Sequence, residues 1–206
     1  MRKVIPIIVV VLLSSFIYIF IRHTKNRRYV DTLESARTSK DIWLHNDLNS
    51  PFVIYHVAFD KIDYYPVDPK WAINADFIQN TENDSLLLIT STGEKRNDLI
   101  FGTVTFTYNN TLCSLLILLE SNGGKTTLFI PFMDKTSGHT TYGGGRYLEA
   151  DFPVGDHILL DFNKAYNPYC AYSEGYSCPL PPKANVLKIP IEAGEKSFAF
   201  RGEQQH

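Results

Sequence analysis

Three consecutive glycines followed by an arginine, Gly143-Gly144-Gly145-Arg146 directly after Tyr142, form the arrangement in this chain best suited to chemistry. Glycines reach φ values closed to other residues and let backbone N–H groups converge on an anion, and a guanidinium adds a two-pronged donor. Such a loop can hold an anionic small molecule, with Tyr142 donating a further hydrogen bond. The same run can equally be a bulge that bends a barrel strand, with Arg146 paired to Asp161 or Glu149. It is not a Walker loop, lacking the Gly-Lys-Ser/Thr ending. Nor is it a dinucleotide fingerprint, since no strand, helix and acidic residue follow in the required order.

Asp161, Asn163 and Tyr166 come next, in Leu160-Asp-Phe-Asn-Lys-Ala-Tyr166 at a strand end. As a site, Asp161 can act as a carboxylate base and the tyrosines as a wall for an apolar or sugar-like ligand. As plain structure, short polar side chains in such a place hydrogen-bond the local backbone and fix a turn. No nucleophile elbow of the Gly-x-Ser-x-Gly type occurs, so whether the chain is an enzyme stays open.

Cys170 and Cys178 are separated by a turn-prone stretch containing Gly175. They can approach within disulfide range, and a bond between them is expected in an oxidising compartment. That bond would clamp a proline-rich loop across the domain. A zinc site drawing on this pair and His139 or His157 lacks the tight Cys-x-x-Cys knuckle, so no metal is expected. Cys113 sits in an apolar run and is read as core.

The strings Phe129-Ile-Pro-Phe-Met-Asp-Lys-Thr-Ser-Gly138, Thr141-Tyr-Gly-Gly-Gly-Arg-Tyr-Leu148, Leu160 through Tyr172, Cys178-Pro-Leu-Pro-Pro182 and Ala193-Gly-Glu-Lys196 are long and unusual. Through them the chain resembles the bacterial family called domain of unknown function 1684, over about residues 29–200 and most strongly after Thr126. The resemblance implies a bacterial protein, often exported or membrane-attached. It carries no activity, cofactor or site residue with it.

The elements that must position these residues follow from composition and pattern. With 206 residues, 44% of them hydrophobic, the chain suits one well-buried domain. A net charge of −2, with no basic stripe after residue 40, argues against nucleic acid as a partner. Val4 to Ile21 is apolar but for Pro6, Ser14, Ser15 and Tyr18, and basic residues flank it on both sides. At ~1.5 Å per residue the run covers about 27 Å, close to a bilayer core, and reads as a transmembrane helix and signal anchor. It has neither the short apolar stretch nor the small-residue exit of a cleavable signal. Counting charges would leave the domain in the cytoplasm. A short basic N-terminus that stays inside instead exports the long C-terminal part, and a periplasmic or extracellular domain is the expectation.

The expected organisation is thus an anchor over residues 1–25, a helical stalk over 26–50 and a single β domain over 51–206. Asn26 to Asn46 carries Tyr29, Leu33 and Ala36 at helical spacing, and Asn49-Ser-Pro51 ends it. Residues 52–59 read as a strand or a packed extended segment, and strands are expected over 71–77, 86–90, 102–108, 112–120, 126–131, 147–150, 157–162 and 187–191. In Thr103-Val-Thr-Phe-Thr-Tyr108 the large residues alternate with threonine, so one face is core and the other solvent. Asn109-Asn110 accepts positive φ and suits a tight hairpin, and Ser121 to Lys125 supplies the next turn. Together these describe a mainly β fold, an antiparallel meander closing into a barrel or two-layer sandwich. The function expected is an envelope-associated binding module with its pocket around the glycine loop. The alternative is a small-molecule enzyme that holds an anion or a flavin phosphate there with Arg146.

Overall fold

The computed structural model describes the backbone of residues 4–122 and 124–198 and, within these, the side chains outside 4–12 and 122. Helix α1 (Val4–Asn46) runs unbroken from the apolar N-terminal segment through the expected stalk. From Leu13 to Ile21 its large apolar side chains stand exposed, whereas Leu33 and Leu44 farther along are buried against the domain. Among the described residues no helix is long and apolar enough to cross a membrane. The first half of the expected span, residues 4–12, lies outside the described side chains.

Strands β1 (Ala72–Gln79), β2 (Ser85–Ile89), β3 (Lys95–Tyr108), β4 (Thr111–Asn122), β5 (Lys125–Phe132), β6 (Arg146–Ala150) and β7 (His157–Asp161) form one antiparallel sheet. Its order is β6-β5-β4-β3-β1-β7, with β2 paired to β3. The sheet curls without β6 and β7 being paired, giving a half-barrel instead of the closed barrel or sandwich expected. The meander β3-β4-β5 turns first at Asn109 and Asn110, whose φ values of 45° and 61° are those of a tight hairpin turn. The centre of the second turn, residue 123, lies outside the described residues. A register shift between Ile100 and Gly102 bends β3. There β1 passes so close that a Cβ on Gly102 would lie 2.5 Å from the Ile78 carbonyl oxygen.

Alternation sorts the side chains onto two faces. Val104, Phe106, Leu115, Ile117, Leu128, Ile130, Phe132 and Leu148 point into the half-barrel with Trp71 and Phe162. Each such burial contributes about 1.5–3 kcal/mol. Leu88, Leu118, Phe129 and Tyr147 point to the other face and pack with Cys178 of the strap that follows β7.

Two expected strands are absent. Residues 52–59 instead begin as a short helix, α2 (Pro51–Ile54), because Ser50 caps it by accepting the Phe52 N–H and Pro51 takes its first position. Residues 187–191 are irregular chain filling the open mouth of the half-barrel: Leu187, Ile189 and Ile191 are buried there. Alternating apolar residues therefore marked a buried face without a ladder. This segment is fixed by Asn185, which is fully buried. The β4–β5 pairing stops at Leu118 and Phe129. Beyond that point the Asn185 side chain accepts from the Leu116 N–H at 2.7 Å and donates to the carbonyls of Leu116 and Pro131 at 2.9 and 2.8 Å. It thus stands in for ladder bonds the splayed strands cannot make.

Candidate functional site

Arg146 opens β6, and alternation turns it inward beside Leu148. Its side chain is fully buried. The guanidinium donates to the Asp134 carboxylate at 3.0 Å, to the Ile191 and Glu195 carbonyls at 2.8 and 3.1 Å, and to the Ala193 carbonyl. Burial pushes its pKa down and Asp134 pulls it back. Both sequence readings of this arginine need correction. Its partner is Asp134, not Asp161 or Glu149, and its Nη1 and Nη2 donors tie the 191–195 segment across the barrel mouth instead of facing a ligand, while its Nε is buried without a partner among the described residues.

The glycines form a turn ahead of β6 and not a bulge within a strand. Gly145 has φ +91° and donates its N–H to the Tyr142 carbonyl at 3.1 Å. A Cβ there would lie 2.6 Å from Pro181 Cγ and 2.7 Å from the Phe132 carbonyl oxygen. The turn is a close-packed corner. The Tyr142 ring lies over this turn, where a Cβ on Gly144 would fall 2.5 Å from its Cε1, and its hydroxyl donates to Cys170 Sγ at 3.8 Å.

Asp161 and Asn163 are nearly fully buried and dock helix α1. Asp161 Oδ1 accepts from the Tyr29 hydroxyl at 2.7 Å and from the Asn163 N–H at 3.2 Å. Asn163 also exchanges two hydrogen bonds with the backbone of Asp68, both at 2.9 Å. Burial, and then the Asp161 carboxylate, raise the Tyr29 pKa. The turn-fixing reading therefore describes these residues better than a catalytic base does. Farther along α1, Arg37 donates to the Tyr65 carbonyl at 3.0 Å and the Asn163 carbonyl at 3.3 Å, and Lys40 reaches Glu195 at 2.6 Å.

Glu195 is the residue sequence reasoning missed. It is 1% exposed. Besides Lys40 it accepts from the Tyr172 hydroxyl at 2.5 Å and the Asn167 N–H at 2.8 Å. Tyr172 is held neutral by its burial and then by this carboxylate. One glutamate in the short string Ala193-Gly-Glu-Lys196 has no spacing partner to mark it, so only the family string drew the eye there.

Of the expected site residues, Tyr166 and Cys178 line the main cleft. This cleft, of about 550 Å³, opens between the outer face of β3–β6 and the strap, residues 166–179. Phe129, Tyr147, Tyr166, Tyr169 and Tyr176 wall it, and Lys40, Arg96, Glu120 and Glu149 carry its charge. The strand period explains the set: Phe129, Tyr147 and Glu149 all point outward from paired positions on β5 and β6. The Tyr166 hydroxyl donates to Glu149 at 3.0 Å, and Tyr147 donates to the Pro179 carbonyl at 2.7 Å. Arg96 pairs with Asp98 at 2.6 Å and with Glu120 at 3.0 Å. Lys40 Nζ and Arg96 Cζ lie 5.1 and 5.8 Å from the Tyr166 and Phe129 ring centroids. Of the two cations, Lys40 is thus paired with buried Glu195 behind the cleft and Arg96 with Asp98 and Glu120, whereas Glu149 on the wall holds the Tyr166 hydroxyl and no cation among the described residues.

Cys178 forms part of the cleft wall, and Cys170 lies against it. The Cys170 N–H donates to Cys178 Sγ at 3.3 Å. The structure brings the two together as expected but does not join them, and all three cysteines are free thiols. Among the described residues no group of three or more His, Cys, Asp or Glu side chains is placed to hold a metal ion.

Residues 57–196 match the family described as "Protein of unknown function (DUF1684)". The chain is also similar to the solution NMR structure of an uncharacterized protein from gene locus rrnAC0354 of Haloarcula marismortui. Identity is 32% with a TM-score of 0.64, over 84% of this chain and 96% of that one. No curated protein matches. The family match spans well over half of the chain and contains the half-barrel, the Arg146 clasp and the tyrosine-walled cleft alike, and the chain belongs to the domain of unknown function 1684 family.

Proposed function

We propose that this protein is a membrane-anchored binding module that takes up an organic cation in the tyrosine-walled cleft. The observation that carries the reading is the charge and surface of that cleft. Five aromatic rings line it, its two cations are already engaged by Glu195, Asp98 and Glu120, and Glu149 on its wall has no cation partner among the described residues. A cationic ligand would pair with Glu149 and lie against ring faces, a contact worth about 0.5–2 kcal/mol per ring. An anion, the ligand expected from the glycine loop, would meet Glu149 while both cations are already paired. Arg146, which was to hold it, points elsewhere.

The anchor reading rests on helix α1. Apolar residues from Leu13 to Ile21 project from it without cover, and the same helix continues, held by Tyr29, Arg37 and Lys40, onto the domain. This arrangement suits a helix seated in lipid at one end and fastened to the domain at the other, and we place the domain outside the cytoplasm. Thermal unfolding of the full chain in detergent, with a panel of alkylammonium and arylammonium ions against nucleotides, flavins and neutral sugars, tests the ligand class. Stabilisation confined to the ammonium compounds and weakened in Glu149→Gln is the expected result. Stabilisation by anions alone, or by nothing, would refute it. A reporter fused after residue 198 tests the topology, and a cytoplasmic signal would sink the exported placement.

A further inference from the structure

Cys170 and Cys178 have no part in binding a cation, yet their surroundings are those of reactive thiols. Cys170 is partly exposed at the edge of the cleft, whereas Cys178 is buried in its wall. Tyr142 aims its hydroxyl at Cys170 Sγ, at 3.8 Å. Ser91 is fixed against the same corner: its Oγ accepts from the Cys178 N–H at 3.1 Å and its N–H donates to the Cys178 carbonyl at 2.8 Å. The ionisable groups facing the pair are Tyr142, Tyr147 and Tyr176, and burial raises the pKa of all three phenols, so none opposes a negative sulfur. Hydrogen bonds from the Cys178 thiol, the Tyr142 hydroxyl and Ser91 bring the Cys170 pKa down to about 6.

We propose that Cys170 and Cys178 form a thiol–disulfide exchange site, with Cys170 attacking a small disulfide and Cys178 resolving the adduct. In the first step the Cys170 thiolate attacks one sulfur of RS–SR, forming a Cys170–S–SR bond and expelling RS⁻. Cys178 then loses its proton to solvent and attacks Cys170 Sγ. The intramolecular disulfide forms and a second RS⁻ departs. Two electrons pass from the protein dithiol to the small disulfide, so no other oxidant is required. A disulfide suits the site better than a peroxide. Oxygen leaving groups need a cation or strong acid beside them, and the side chains contacting Cys170 are a phenol, a hydroxyl and a thiol. A thiolate departs by virtue of its own low pKa. Exposure also gives the order of attack, because Cys170 is the partly exposed residue of the pair and Cys178 is buried.

The test uses the full chain in detergent, reduced with a phosphine, freed of reductant and mixed with dithiobis(nitrobenzoate). At pH 6 a thiol with the Cys170 pKa is about half ionised against about 0.3% for an ordinary cysteine. Its weaker nucleophilicity returns roughly tenfold of that gain, so about a tenfold faster reaction than an unfolded-chain cysteine remains. The wild-type chain should release one aryl thiolate and then a second, keep no aryl group, and show a Cys170–Cys178 disulfide on peptide mapping. Cys178→Ser should release one and retain the aryl adduct, and Cys170→Ser should lose the fast phase. Tyr142→Phe should slow the fast phase and move its pH midpoint upward. Cys113→Ser should change nothing. A wild-type chain that keeps its adduct, a fast phase that survives in Cys170→Ser, or a rate no greater than that of the unfolded chain overturns the proposal. Ammonium binding is scored separately in Cys170→Ser, so failure of either reading leaves the other standing.

Discussion

Replacing Arg146 with alanine should cost the fold about 4 kcal/mol of stability. Its partner Asp134 has no exposed side-chain surface. Asp134 would keep the Thr136 and Ile191 N–H bonds on Oδ1, at 2.7 and 3.1 Å, but lose the cation on Oδ2. Breaking a buried pair from one side costs about 3–5 kcal/mol, because the remaining charge stays desolvated. The carbonyls of Ile191, Ala193 and Glu195 lose their donor in the same stroke. Against a total of about 5–15 kcal/mol, a loss near 4 kcal/mol leaves little in reserve. Urea unfolding of the full chain in detergent, followed by circular dichroism, should show the midpoint falling by about 2 M at a slope of about 2 kcal/mol/M. Arg146→Met with Asp134→Asn should recover about 1–2 kcal/mol, because the stranded charge is gone while the amide oxygen keeps the Thr136 and Ile191 N–H bonds, though the three carbonyls stay unpaired. An Arg146→Ala protein within about 0.5 kcal/mol of wild type, at unchanged slope, would refute the clasp and restore this arginine as a ligand contact.

Two further outcomes follow from the geometry. Gly145→Ala should lose about 1–3 kcal/mol, since its φ of +91° strains any side chain and Pro181 and Phe132 leave no room. Gly143→Ala should be nearly neutral, with its new Cβ at an ordinary 3.6 Å from Gly138 Cα. Equal urea midpoints for the two variants would contradict the packed corner. In alkali, Tyr142, pushed up to about 12 by burial, and Tyr29, Tyr64, Tyr147, Tyr166 and Tyr172, all raised with burial as the first cause, stay neutral in the fold. Their folded pKa values lie above the unfolded value near 10, so this stability is fully present below about pH 10 and drains as pH rises toward 12. An ultraviolet titration should show these phenols ionising together with unfolding. Independent ionisation of all tyrosines near pH 10, with the fold intact, would contradict their burial.

Local patterns were legible where one residue type has one physical use. Alternation in Thr103–Tyr108 and the asparagine pair after it gave the central hairpin and its register. Helical spacing after Asn26 gave the docked half of α1, ending at Asn46. The expected Phe52 strand failed because Ser50 and Pro51 are helix-start residues and were read only as a break. Arg146 was misread because a strand has two faces and the sequence does not say which is core. Had the Tyr147 and Glu149 positions been assigned to the outer face together, the arginine would have followed inward. The cleft could not be assembled from local patterns. Its walls come from α1, β3–β6 and the strap, brought together by the curl of the sheet, while the dense segment from Tyr142 to Cys178 marked the right region for a different reason. Its glycines and prolines shape corners, and its tyrosines do the lining.

The central claim is that the ligand lies in the cleft between the strap and β6. Titration of the isotope-labelled chain in detergent with phenyltrimethylammonium, followed by amide and tyrosine-ring resonances, tests it most directly. The account predicts saturable shifts at Glu149, Tyr166, Tyr169 and Tyr176 that vanish in Glu149→Gln, with Gly143 to Arg146 unmoved. Shifts centred on Gly143 to Gly145, or no saturable shift at any of these tyrosines, would contradict it.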